Sequence, residues 1–280
     1  MNLTKYGVWI GRSISESEYG EAARLAEDLG FGALWLGGSP RLPALRPMLE
    51  ASERIVIATG IVNIWQYEPA VLAQEFTQID QEFPGRLLLG LGIGHPEATS
   101  EYQKPLTKSR EFLDGIAAAP TPVPRERMVL AALGPKMLDL SFERTLGTHP
   151  YFTPVEHTRV AREQLGPEAF LAPELAVVLD DDRERARSAA RAYAELYLRL
   201  GNYTGNLKRL GWSEEDLADG GSERLLDAVV PQGSAAQLAA FVESHLDAGA
   251  DHVCVQTVGV SGVPTAAWTA MAAALRLQSA

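Results

Sequence analysis

Short apolar runs that stop at glycine, proline or a small polar residue recur along this chain, and the segments between them carry apolar residues at helical spacing. Lys5–Gly11, Phe31–Leu36, Ile55–Ile64, Arg86–Pro96, Met128–Leu133, a short run at 147–154, Leu175–Leu179 and His252–Val258 read as eight strands. Capping signals open the helices between them: Ser15 with Glu18, Ser234 with Gln237, and Pro69 and Pro264 at helix starts. Thr153, Pro154 and Glu156 read as N-cap, N1 and N3 of another. Eight strands alternating with helices predict a parallel (β/α)8 TIM barrel. A doubly wound sheet would put one glycine-rich fingerprint after the first strand, and GRSIS there has no GxGxxG. The glycines instead sit at many strand ends, which suits a circular site at a barrel mouth.

A chain of 280 residues fits one such domain, 1–280, with an irregular or broken helical excursion around 201–233. The formal charge of −11 argues against sequence-independent binding to nucleic acid or to an anionic membrane. Cys254 is the only cysteine, which leaves no intramolecular disulfide and fits a reducing compartment. The start MNLTKYGVWIG has no apolar signal core, and no apolar run of about 18 residues follows. A cytoplasmic protein is the expectation.

The strand-four stretch RLLLGLGIGHP concentrates the candidate chemistry. Leu87, Leu88, Leu89 and Leu91 read as a strand buried on both faces, ending at Gly92, Gly94 and His95. The glycines let a ligand approach the backbone, or else mark a bulge or tight packing. Elsewhere the strand ends are poor in charge. The five histidines lack HxH or HExxH spacing, so no metal site is expected, and neither a GxSxG elbow, a Walker loop nor a paired carboxylate appears. Glycines, apolar residues and one or two histidines suit a planar cofactor that itself carries the chemistry.

ATGIVNIW (58–65), LGLGIGHP (89–96), LAALGPKML (130–138), GTHPYFTPVEHT (147–158) and NYTGNLKRLGW (202–212) together resemble the luciferase-like monooxygenase superfamily. More narrowly, they are similar to its actinobacterial branch of F420-dependent oxidoreductases. The resemblance implies a barrel binding the deazaflavin F420, or alternatively FMN, at its mouth, and a small-molecule substrate; homodimers are frequent in the family. It also implies that Gly60 and Ile61 form a strand-three bulge, often with a non-proline cis peptide, under the ring. Gly92, Gly94 and His95 would lie beside the ring and ribityl chain, and Leu133, Gly134 and Thr153 near the phospholactyl group. Gly38, Ser39, Asn63 and His149 would line the substrate pocket.

His95 takes the place of a glutamate proposed as proton donor in related sugar-phosphate dehydrogenases, and reads either as that acid or as a plain hydrogen-bonding side chain. Thr153 reads as an anion-binding helix start or a simple cap. Lys104, Lys108 and Arg110 read as a solvated helix start or as attraction for the cofactor's acidic tail. Those dehydrogenases carry Asp-His after strand two where this chain has Gly37, Gly38 and Ser39, so the base for alcohol oxidation is missing. The expectation is hydride transfer to an activated C=C or C=N bond. An FMN-dependent monooxygenase and a catalytically silent cofactor binder are the alternatives.

Overall fold

The computed structural model describes residues 3–11, 14–94 and 104–278. β1 (Tyr6–Ile10), α1 (Tyr19–Asp28), β2 (Ala33–Leu36), α2 (Arg46–Glu50), β3 (Val56–Thr59), the two-residue β4 (Val62–Asn63) and α3 (Pro69–Glu82) open the chain. There follow β5 (Leu87–Gly92), α4 (Pro105–Ala117), β6 (Met128–Leu130), α5 (Pro135–Arg144), β7 (Gly147–Thr148) and α6 (Val155–Leu165). The last third holds β8 (Phe170–Leu171), β9 (Glu174–Leu179) and α7 (Arg183–Leu198), then α8 (Gly201–Arg209), α9 (Glu214–Leu217) and α10 (Glu223–Val229). β10 (Gln232–Gly233), α11 (Ala235–Asp247), β11 (Val253–Thr257) and α12 (Thr265–Ala274) complete it.

Every strand pair is parallel, in the order β10-β9-β11-β1-β2-β3-β5-β6-β7-β8, with β4 also on β5. β8, at one end of this order, runs on into β9, next to the other end, in one extended stretch. β8 pairs with β7 and β9 with β11, and only Ala172 and Pro173 separate them. Ala172 N–H donates to Thr148 O at 2.9 Å and Glu174 N–H to Pro150 O at 2.9 Å, while Pro173 O accepts from Cys254 N–H at 3.1 Å. The stretch thus bonds neighbours on both sides, as a TIM barrel requires.

Alternation along the strands divides the core into two layers. Val8, Ile10, Leu34, Leu36, Ile57, Leu87, Leu89 and Leu91 pack outward beneath the helices. Trp9, Ala33, Trp35, Val56, Ala58, Leu88, Val129 and Cys254 pack together inside the ring. The outer helices bury faces that the sequence marks at helical spacing, such as Leu72, Phe76 and Ile79 of α3.

The Ser15–Glu18 and Ser234–Gln237 capping boxes form as expected. Thr153 does not cap: α6 starts at Val155 behind Pro154, and the Thr153 hydroxyl is buried without a partner. Phe152 explains the shift. Its backbone is left-handed at φ +53°, and its ring packs on Tyr193, Tyr197 and Tyr203, so ring packing sets the entry into the helix. The excursion after α7 consists of the short helices α8, α9 and α10.

Candidate functional site

The strand ends surround a cavity of about 630 Å³. β3 and β4 are separated by Gly60 and Ile61, whose peptide bond is cis. Both residues line the cavity, as do Gly92 at the end of β5, Gly94 just past it, and Leu133 and Gly134 beyond β6. Gly38, Ser39, Asn63 and His149 line it too.

Side chains explain much of the glycine pattern. A Cβ on Gly92 would come within 2.7 Å of the Ile61 side chain, and one on Gly94 within 2.9 Å of Asn63 Nδ2. Three other strand ends are cleared by a single residue. The indole of Trp9 occupies the space that a side chain at Gly37 would take, reaches the position of a Gly60 Cβ with its nitrogen, and comes within 3.0 Å of a Cβ on Gly11. Ser39 and Asn63 spend their polar atoms on the loop itself. Ser39 Oγ donates to Gln66 Oε1 at 2.7 Å and accepts from Asn63 N–H at 2.9 Å, while Asn63 Oδ1 accepts from Trp65 N–H at 3.1 Å.

His149 is 1% exposed, and its Nδ1 lies 2.7 Å from Ala172 O. Burial, opposed by that carbonyl and aided by the neighbouring His252, pushes its pKa down to about 4, so the ring is neutral at pH 7. A carbonyl only accepts, which puts the proton on Nδ1 and leaves Nε2 as a lone pair. Nε2 has no partner among the described residues, and neither has Trp9 Nε1.

Next to Trp9 the lining is phenolic, with the Tyr151 ring centroid 5.6 Å from that of the indole. Tyr151 and Tyr197 line the cavity. Tyr151 Oη is 2.7 Å from Tyr193 Oη and 2.5 Å from Gln256 Oε1, Tyr193 donates to the same oxygen at 2.9 Å, and Tyr197 donates to Tyr151 at 3.2 Å. Three phenolic protons cannot serve these four contacts around a carbonyl oxygen. Turning the Gln256 amide to present Nε2 closes the count, and with Tyr193 donating to Tyr151 and Tyr151 in turn to Tyr197, the reverse of the Tyr197-to-Tyr151 direction, the Tyr197 hydroxyl hydrogen is left for the cavity. Burial raises the pKa of all three phenols, so they are proton donors and not bases. Beneath them Glu174 is 1% exposed, and burial drives its carboxyl far above the ordinary value. The Phe152 amide opposes this only in part, and neither carboxyl oxygen makes a hydrogen bond of proper geometry among the described residues.

Arg209, the last residue of α8, also lines the cavity. Its guanidinium lies 3.3 Å from where a Gly134 Cβ would stand, at the N-cap of α5. Asn206 accepts from it at 3.1 Å within the same helix. A cation facing the positive end of a helix dipole is unfavourable until an anion sits between them.

Two expectations fall elsewhere. Thr153 does not line the cavity, and His95 lies outside the described residues. Of the basic residues on α4, Lys108 sits over the Trp65 ring at 5.1 Å and Arg110 pairs with Glu143 at 3.2 Å. Sequence reasoning missed Trp9, Tyr151, Tyr197 and Arg209. Trp9 stood in the right phase of β1 to face inward, and Arg209 lay inside NYTGNLKRLGW without a role. Among the described residues no carboxylate lines the cavity, no group of three or more metal-ligating side chains occurs, and no helix is long and apolar enough to cross a membrane.

Residues 3–252 match the family model described as luciferase-like monooxygenase. The F420-dependent glucose-6-phosphate dehydrogenase of Microbacterium testaceum is 31% identical over 104 residues, 29% of this chain and 31% of its own length. The chain therefore spans only about a third of that relative. The 5,10-methylenetetrahydromethanopterin reductase of Archaeoglobus fulgidus is 25% identical over 253 residues, covering 75% of each chain. The structure of the coenzyme F420-dependent tetrahydromethanopterin reductase of Methanopyrus kandleri superposes with a TM-score of 0.79 at 16% identity, covering 99% of this chain and 100% of the other. That likeness is one of fold.

Proposed function

Because this chain belongs to the luciferase-like monooxygenase family, we propose that it is an F420-dependent oxidoreductase that reduces an activated C=C or C=N bond of a small organic substrate. The observation that carries the direction is the absence of a base among the described lining residues. Alcohol oxidation needs a group to take up the hydroxyl proton. His149 is a poor one, since burial holds it neutral down to about pH 4. The indole of Trp9 fills the space where a side chain at Gly37 would stand, so no base fits there.

The residues present fit the cofactor. Arg209 and the N-terminus of α5, with Leu133 and Gly134 between them, form a seat for one anionic group, as a phosphodiester requires. Gly60, Ile61, Gly92 and Gly94 form a wall without long side chains except that of Ile61, suited to one face of a planar ring. When bound, reduced F420 supplies the hydride. Tyr197, backed by Tyr151 and Tyr193, holds a proton at Oη toward the cavity for the atom adjacent to the carbon that takes the hydride. Ile61, Ile93 and Met137 exclude water around that step.

The test is titration of the apo-protein with F420 and FMN in parallel, followed by oxidation of reduced F420 against a panel of enones, imines and secondary alcohols. Binding of F420 with turnover of enones or imines is expected. Binding of neither cofactor, or cofactor reduction driven by the alcohols, overturns the reading.

A further inference from the structure

Two buried polar atoms at the cavity floor are complementary and unused. Trp9 Nε1 and His149 Nε2 have no hydrogen-bond partner among the described residues, and both residues line the cavity. They stand side by side against Gly60. The indole nitrogen lies beside the point where its Cβ would stand, too near for one to fit, and the imidazole nitrogen lies 3.3 Å from the same point.

The polarity of each atom is fixed. Indole nitrogen only donates. His149 is held to one tautomer, because Nδ1 must carry the proton that reaches Ala172 O at 2.7 Å, and so Nε2 only accepts. The ring cannot turn freely to exchange these roles, since it lies stacked on Trp35 with centroids 4.2 Å apart. Trp9 is buried, with the Tyr151 ring 5.6 Å from its own. The floor therefore offers one donor and one acceptor at neighbouring points, in a setting where an unpaired polar atom is costly.

We propose that this pair reads the edge of a cyclic amide or imide, whose carbonyl oxygen accepts from Trp9 while the adjacent N–H donates to His149. A ketone or ester would satisfy Trp9 alone and leave His149 Nε2 buried and unpaired. An amine would do the reverse. Two ligands carry such an edge: the pyrimidinedione ring of the deazaflavin, and a lactam or imide substrate. The first source rests on the function proposed above.

The experiment is a cycle between ligand and protein. F420 and its N3-methyl derivative are titrated into the wild-type chain, into His149→Asn, whose amide keeps the bond to Ala172 O but removes the acceptor, and into Trp9→Phe. In parallel, an unsaturated lactam and its N-methyl counterpart are compared as substrates. If the pair holds the cofactor, N3-methylation weakens binding to the wild type by about tenfold or more and to His149→Asn by less than about twofold. If it holds the substrate, cofactor binding ignores both changes, and N-methylation of the lactam lowers kcat/KM in the wild type but not in His149→Asn. Because the ligand change is made on the wild-type protein, misfolding of a variant leaves the test intact. Insensitivity of both cofactor binding and turnover to N-methylation overturns the inference while the function stands. Binding of neither F420 nor FMN overturns both.

Discussion

The imidazole of His149 lies flat on the indole of Trp35, the two planes 16° from parallel. Trp35 is fully buried, and its N–H donates to His252 Nε2 at 3.1 Å, so one ring fixes two histidines. Trp35→Phe removes that donor, strands His252 Nε2, and leaves a void under His149. We expect a loss of about 2–4 kcal/mol in chemical denaturation. A loss below about 1 kcal/mol would show that neither ring depends on Trp35.

Acid and alkali should act on stability through different groups. Burial lowers His149, His245 and His252 to about 4 from 6.5. Their unfolded forms bind protons between those values while the folded forms do not, so stability rises with pH across that window. Glu174 is raised by burial, so above about pH 4.5 the unfolded state releases a proton that the folded state keeps, and its contribution falls as pH rises. Three imidazoles outweigh one carboxyl up to about pH 6.5. Above it the carboxyl acts alone, and its contribution goes on falling as pH rises. Stability should peak near pH 6.5, and Glu174→Gln should abolish the alkaline decline and exceed the wild type at pH 8. Equal denaturation midpoints at pH 8 would contradict this.

Arg209 lies beside Gly134 at the positive end of α5. Arg209→Ala should weaken F420 binding by about 10- to 100-fold, and Arg209→Lys by less, because a lysine keeps the charge without the planar fork. Without cofactor the alanine variant should melt no lower than the wild type, since it relieves a like-sign contact. Calorimetric titration and thermal melts separate the two effects.

Tyr197→Phe should leave F420 affinity unchanged and lower kcat by about 10² or more, the size of effect expected from loss of a positioned proton donor. Because burial raises the Tyr197 pKa above 10, the wild-type rate should show no loss from a deprotonating donor between pH 6 and pH 9. A tenfold decline across that range would assign the donor elsewhere.

Strand alternation, glycine-terminated strands and capping boxes made the barrel legible, because each depends on residues close together in sequence. The Gly60–Ile61 cis peptide matched what the family resemblance implied. Most of the strand-end residues singled out do converge on one cavity. What stayed hidden depends on contacts across the ring. Gly37 read as the place of a missing base and Gly60 as part of a bulge, whereas the Trp9 ring, 28 residues before Gly37, fills the space beside both. Glu174 stands just before the Leu175–Leu179 run and carried no reading, and only burial in the folded chain makes it a raised acid. Thr153 carried a sound cap signal that the burial of Phe152 overrode.

The reach of Trp9 over three strand ends also constrains how such a site can change across generations. A side chain at position 37 or 60 cannot be gained while the indole stands in its place. Shrinking residue 9 would open three positions in one step. A descendant that acquires a base at position 37 or 60 must therefore first pass through a form with a hollowed floor, so history at those positions has a required order.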